Sequence, residues 1–316
     1  MSEPRRARVR ALAKINLDLR VLAKRPDGYH ELRTVFHTVS LADILDVAFT
    51  PAPATAIKVA ANVEIADNLV VKAACLALDA MRITGRVEFG LRKRIPMGAG
   101  LGGGSSDAAA VLLALPVLAG GRLEAEELAG LAAQLGSDVP FFLLGGAAVG
   151  LGRGTELYPL PDCPPRPGVL VTPGVHVSTA EAYAALGLPS NSGLTTEAQQ
   201  NKIFSFQSQA WAGSWNVPGN DFEAVVFERH PELRVLKQQL LDAGAKPALM
   251  TGSGSTLYGL FDTRAEASRA IESLGKSRVF PITLVSRSRY RRMWRRGLQA
   301  HMNNTSIWPP QSRYAR

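Results

Sequence analysis

The sequence predicts an α+β protein of two domains. Three observations carry that prediction: strands and helices mix without regular βαβ alternation, a proline-rich stretch at 159–167 divides the chain near its middle, and 316 residues exceed the usual size of a single domain. The expected units are residues 1–165, residues 166–286 and a basic tail, 287–316. A composition of 46% hydrophobic and 20% charged residues supports a real core and excludes disorder or a coiled coil.

Residues 9–21 alternate, with Val9, Ala11, Ala13, Ile15, Leu17, Leu19 and Val21 on one face, as in a half-buried strand. Side chains two apart share a face, so Lys14 and Asn16 lie ~7 Å apart on the opposite one. Pro26-Asp27-Gly28 is turn chemistry and 32–41 returns as a strand, followed by strands at 44–49 and 56–60. A helix is expected at 68–81, capped by Asp67. Strand 86–95 feeds a glycine-rich stretch, 96–106, then helices at 107–118 and 123–135 and a hairpin at 145–158. The second half reads as strand 168–172, helix 179–186 and a polar loop or loose helix over 190–214. Helices 221–228 and 233–243, strands 248–251 and 256–261, helix 264–274 and strand 279–285 complete it.

The net charge of +9 suggests a polyanion partner until its distribution is considered. Eight arginines and no acidic residue fall in 287–316, which leaves the first 286 residues close to neutral and argues against a nucleic-acid groove there. Cys75 and Cys163 are too few for a disulfide scaffold and lack metal-site spacing. The uncharged run at 140–152 is too short for a membrane span, and no apolar segment follows the N-terminal arginines to make a secretory signal. A cytoplasmic protein without a membrane partner is the expectation.

The strongest chemical signal is the run from Pro96 to Ala110, in which five glycines and two serines open an apolar helix. Such a run can surround phosphate oxygens with backbone N–H groups at a positive helix end. Gly98, Gly100 and Gly103 also fit a dinucleotide pattern, but the preceding strand carries too many charges to be a buried parallel strand. Gly275-Lys276-Ser277 lacks the first glycine of a Walker loop. In Gly136-Ser137-Asp138-Val139-Pro140, Asp138 taken alone reads first as a helix cap. Thr251-Gly252-Ser253-Gly254-Ser255-Thr256 reads as a hairpin turn, and Lys14 with Asn16 as a solvated strand face.

Taken in order, Ala13-Lys14-Ile15-Asn16-Leu17, the Arg25–Leu32 segment with its Asp27-Gly28-Tyr29-His30 centre, the Gly/Ser loop, the Asp138 motif and the Thr251 motif resemble the GHMP small-molecule kinases over residues 10–285. The resemblance implies a GHMP fold: an N-terminal domain like domain 2 of ribosomal protein S5, then a ferredoxin-like domain. It implies ATP-dependent phosphorylation of the 2-hydroxyl of CDP-methylerythritol, in non-mevalonate isoprenoid synthesis. Pro96, Met97, Gly98, Ala99, Gly100, Leu101, Gly102, Gly103, Gly104, Ser105 and Ser106 would wrap the ATP phosphates, with Asn68 near the adenine. Lys14 and Asp138 would be the catalytic pair. Asn16, His30, Thr179, Asn220 and Asp221 would hold polar parts of the substrate, and Tyr29 with Tyr183 would sandwich its cytosine. Mg2+ would bridge the β- and γ-phosphates, assisted by a loop serine.

Two other readings are a GHMP kinase for another small alcohol and a non-catalytic protein recruiting an acidic partner through its tail. The Tyr29/Tyr183 pair counts against the first, and intact Lys14 and Asp138 against the second. The tail lies outside the resemblance, and a chain ending at Ser286 is expected to fold and turn over.

Overall fold

The computed structural model describes residues 3–188, 197–212, 218–274, 278–303 and 307–315. Parts of the polar stretch 190–214, and Gly275-Lys276-Ser277, lie outside the described residues. In the first half, strands β1 (Arg5–Lys24), β2 (His30–Pro51), β3 (Ala56–Ala61), β4 (Gly85–Arg92), β5 (Ala147–Gly152) and β6 (Glu156–Pro159) form one sheet. Its helices are α1 (Leu69–Met81), α2 (Gly103–Ala119), α3 (Ala125–Leu135) and α4 (Val139–Leu144). The second half has β7 (Pro167–Thr172), α5 (Thr179–Ala185), α6 (Glu197–Ala212), α7 (Phe222–Arg229), α8 (Pro231–Asp242), β8 (Ala248–Met250), β9 (Leu257–Leu260), α9 (Arg264–Ser273) and β10 (Arg278–Thr283). A last helix, α10 (Arg287–Leu298), follows.

The long strand β2 organises the first sheet. Antiparallel β1 covers one edge, while the other edge takes β4 along Ile44–Pro51 and β5 along Leu32–His37. The two strands expected over 32–49 are therefore one, and register shifts in its pairing with β1 let the long ribbon bend without a break. The almost uniformly apolar α2 is buried against this sheet, as an all-round hydrophobic helix must be. The second sheet runs β10-β7-β9-β8, each pair antiparallel. That order, the fourth strand beside the first and the third beside the second, is the ferredoxin-like arrangement.

Ala13, Ile15 and Leu17 of β1 pack with Leu170, Tyr258 and Ile282 between the two sheets. The opposite face is not solvated as expected: Lys14 and Asn16 are 3% exposed and Asp18 is fully buried. The glycine loop explains why, since the Leu101 carbonyl accepts from the Lys14 N–H and lies over the strand.

Two helix starts also differ from the expectation. Asn68, not Asp67, caps α1 by accepting from the Val70 N–H. Helix α2 begins at Gly103, so four residues assigned to the loop form its first turn.

The segment after Ser286 is not a loose appendage. Tyr290, Trp294 and Leu298 are buried in the same core as α2 and β1, with Met302 beside them. Their four-residue spacing is a helical stripe that the surrounding arginines hide. Removing it would expose that core, which corrects the expectation of a dispensable tail.

Candidate active site

Two cavities meet at the glycine loop. One of about 400 Å³ is walled by Asn68, Leu69 and residues 95–105, the other of about 900 Å³ by Lys14, Asp138, His30 and Tyr183, and Gly100 and Gly102 line both. A larger hollow of about 1080 Å³ lies on the outer face of the first sheet, where Arg8 and Asp46 are paired with each other. It brings together none of the motif residues, whereas the joined pair gathers residues from all five motifs.

Glycine is required where the two walls touch. At Gly100, with φ +75°, a Cβ would stand 2.4 Å from the Thr251 carbonyl oxygen. At Gly102, with φ +68°, it would meet the Phe142 ring at 2.9 Å and the Lys14 side chain at 3.2 Å. The Thr251 motif is the expected turn between β8 and β9, and it also seats the second domain on the loop. Beyond Gly102 the first turn of α2 presents N–H groups that helix geometry leaves without intrahelical partners. Ser105 faces the smaller cavity, whereas the Ser106 hydroxyl is buried and donates to the Leu12 carbonyl at 2.7 Å.

Lys14 Nζ is 3.5 Å from Asp138 Oδ2 and donates to Asn16 Oδ1 at 2.9 Å. Asp138 stands at the start of α4 but makes no capping hydrogen bond, and its side chain is 34% exposed to the cavity. The cap reading is thereby set aside. The Asn16 side chain lines the larger cavity while anchored in protein: Oδ1 also accepts from the Gly252 N–H and the Thr251 hydroxyl, and Nδ2 donates to Thr34 Oγ1. It therefore holds Lys14 and ties β1 to the Thr251 turn.

Tyr29 and Tyr183, the pair expected to sandwich the cytosine, both line the larger cavity. Tyr183 stacks on His30 with centroids 4.3 Å apart and meets Phe222 edge-on, while Tyr29 is half exposed with Arg153 over its face at 3.4 Å. Burial, with Asp138 nearby, pushes the Tyr183 hydroxyl up to about 12, and burial beside Lys24 lowers His30. Both rings are thus neutral at pH 7. The exposed Thr179 hydroxyl pairs with Ser253 at 2.9 Å on the cavity rim.

Asn220 and Asp221 lie behind the cavity. The Asn220 amide donates to the Met250 and Gly252 carbonyls and accepts from the Phe222 N–H. Asp221 accepts from the Val21 N–H and from Lys202 and sits 3.7 Å from Arg20. Both brace the wall rather than face the cavity.

One cluster escaped the sequence reading. Lys93 bridges Asp43 and Asp107, and Asp43 also accepts from the Arg94 and Ile95 N–H groups. Burial and the neighbouring Asp43 raise the Asp107 carboxyl against the pull of Lys93. The cluster pins the first turn of α2, with Lys93 Nζ 3.2 Å from where a Gly103 Cβ would be. Its members are up to 64 residues apart, and only the lysine's place just before the loop was a clue.

Among the described residues, no three His, Cys, Asp or Glu side chains form a preformed metal cluster, and no helix is long and apolar enough to cross a membrane.

Residues 68–146 match the family model of the GHMP kinases N terminal domain, and 208–279 that of the GHMP kinases C terminal domain. The chain belongs to the GHMP kinases, a family of ATP-dependent small-molecule kinases. It is 62% identical over 315 residues, 99% of both chains, to a protein of Solibacter usitatus (strain Ellin6076) named 4-diphosphocytidyl-2-C-methyl-D-erythritol kinase. A protein of the same name from Geobacillus kaustophilus (strain HTA426) is 39% identical over 85% of this chain and 93% of its own. The Solibacter match takes in the segment after Ser286.

Among solved structures, a crystal structure of 4-(cytidine 5'-diphospho)-2C-methyl-D-erythritol kinase superposes with a TM-score of 0.73 at 40% identity, covering 88% of this chain and 98% of the other. The homoserine kinase of Cytophaga hutchinsonii, at 18% identity and TM-score 0.67 over 90% and 96%, shares the fold.

Proposed function

We propose that this kinase transfers the γ-phosphoryl group of ATP to the 2-hydroxyl of 4-diphosphocytidyl-2-C-methyl-D-erythritol, a step toward isoprenoid precursors by the non-mevalonate route. The carrying observation is the shared wall: Gly100 and Gly102 line both cavities, and Lys14 faces Asp138 just beyond them. ATP occupies the smaller cavity, its adenine near Asn68 and its phosphates over residues 96–105. The acceptor occupies the larger one, its cytosine against the Tyr183–His30 pair, with Tyr29 and Thr179 at the rim.

Phosphoryl transfer asks for alignment and charge neutralisation more than covalent help. Asp138 takes the hydroxyl proton, while Lys14, held by Asn16, faces both that carboxylate and the charge that develops on the phosphoryl oxygens. Ser105, whose hydroxyl lines the smaller cavity, would help to hold a nucleotide-bound Mg2+, which would supply neutralisation of the phosphate charge. Residues 1–165 and 166–286 act as the two domains closing on this junction. The work is cytoplasmic, with ATP and the small alcohol as the partners.

ADP release measured with CDP-methylerythritol against a panel of simple polyols tests the reading. It predicts release with the former alone; equal release with a polyol would reassign the acceptor.

A further inference from the structure

The segment after Ser286 reaches the active site through α4. A six-residue helix leaves most of its carbonyls without partners inside the helix. In α4 the Phe141 carbonyl accepts from the Gly145 N–H at 2.9 Å. The next two carbonyls are met from the C-terminal segment: the Tyr290 hydroxyl donates to the Phe142 carbonyl, and Trp308 Nε1 donates to the Leu143 carbonyl at 2.9 Å.

The joint has no slack. A Cβ at Gly145 would stand 2.3 Å from the Tyr290 ring, and one at Gly146 would stand 2.7 Å from the Arg287 backbone nitrogen. Asp162 fixes the start of α10 by accepting from the Arg287 and Ser288 N–H groups, and the Arg287 guanidinium donates to the Leu160 and Ala147 carbonyls. At its other end Asp138 immediately precedes α4, and the Phe142 ring of the helix lies against Gly102 of the phosphate loop.

We propose that Tyr290 and Trp308 are positioning residues for phosphoryl transfer: by holding the carbonyl end of α4 they fix how Asp138 faces Lys14. This rests on Asp138 being the proton acceptor. A buried carbonyl that loses its donor moves to find another, and a displacement of about 1 Å at reacting groups can lower a rate by ~10²-fold.

The test is kinetic, on the full chain, with Tyr290→Phe made in the wild-type and the Asp138→Asn backgrounds. In wild type, kcat falls roughly 10-fold while the KM for ATP stays within about twofold, with the protein folded at the assay temperature. In Asp138→Asn the same change costs less than about twofold, because no base remains to be aimed. Equal losses in both backgrounds would mean general loosening and overturn the proposal, as would an unchanged kcat in wild type. Trp308→Phe, which removes the N–H and keeps a ring, repeats the comparison if Tyr290→Phe fails to fold. Should Asp138→Asn itself turn over near the wild-type rate, the base assignment fails and the proposal with it. A slow Asp138→Asn beside a fast Tyr290→Phe sinks the proposal alone.

Discussion

The two walls of the proposed active site are made of different material. On the donor side, backbone does the work: a glycine loop and the first turn of α2, with Lys93, Asp43 and Asp107 behind them. On the acceptor side, side chains do it: Lys14, Asp138, His30 and Tyr183, with Asp18, Arg20, Asp221 and Lys202 behind. A backbone wall tolerates no added atoms, whereas a side-chain wall loses function group by group. Substitutions on the donor side should therefore cost stability and all turnover together, and those on the acceptor side one kinetic constant at a time.

The largest effect is expected from Lys93→Met, which leaves two buried carboxylates facing each other. Breaking a buried ion pair from one side typically costs about 3–5 kcal/mol, so equilibrium denaturation should show a loss of that size. A variant as stable as wild type would mean that the cluster does not hold α2. Gly100→Ala comes next: strain at φ +75° and a Cβ 2.4 Å from the Thr251 carbonyl force the loop and the turn apart. Turnover should fall by ~10² or more with the KM for ATP raised, because displacements near 1 Å are costly in phosphoryl transfer. Wild-type kinetics would show that the contact of the two walls is not needed.

Acceptor-side losses should be narrower. Removing a ring stacked on a base costs ~1–3 kcal/mol, so Tyr183→Ala should raise the KM for the cytidine substrate roughly 5- to 150-fold and leave that for ATP alone. Tyr29→Ala should cost less, since that ring is half exposed and already carries Arg153. An equal effect at Tyr29 would favour the sandwich expected from sequence.

The smallest effect is a pH dependence. Burial pushes Asp18 up to about 6 despite Arg20 at 2.7 Å, so the folded state holds a proton that the unfolded chain releases nearer pH 4. The stability from this group is whole below about pH 4 and lost as pH rises through about 6. Asp18→Asn should remove that loss, gaining on wild type by on the order of 1–3 kcal/mol between these limits in denaturation curves. Parallel curves would place Asp18 as an ordinary ionised partner of Arg20.

The same contrast explains what could be read from the sequence. The donor loop is local, and its glycines announce a backbone site within eleven residues. The strand alternation of β1 was equally plain, because a period of two needs no tertiary knowledge. What faced its polar side did not show, because the loop covering Lys14 lies almost ninety residues further on. The Asp43–Lys93–Asp107 cluster and the Tyr183–His30 stack also join distant segments. Asn220 and Asp221 have the residue types of ligands, and only their partners reveal braces. In α10 the charge obscured the stripe of Tyr290, Trp294 and Leu298, so a packed helix read as a tail.

The proposed phosphoryl transfer depends most on Asp138 as proton acceptor opposite Lys14. Asn keeps the size of the side chain and removes the carboxylate, and Asp138 makes no capping bond that the change could disturb. Turnover of purified Asp138→Asn with saturating ATP and CDP-methylerythritol should fall ~10²–10⁴-fold, with the KM for ATP little changed. More than a tenth of the wild-type turnover would contradict it.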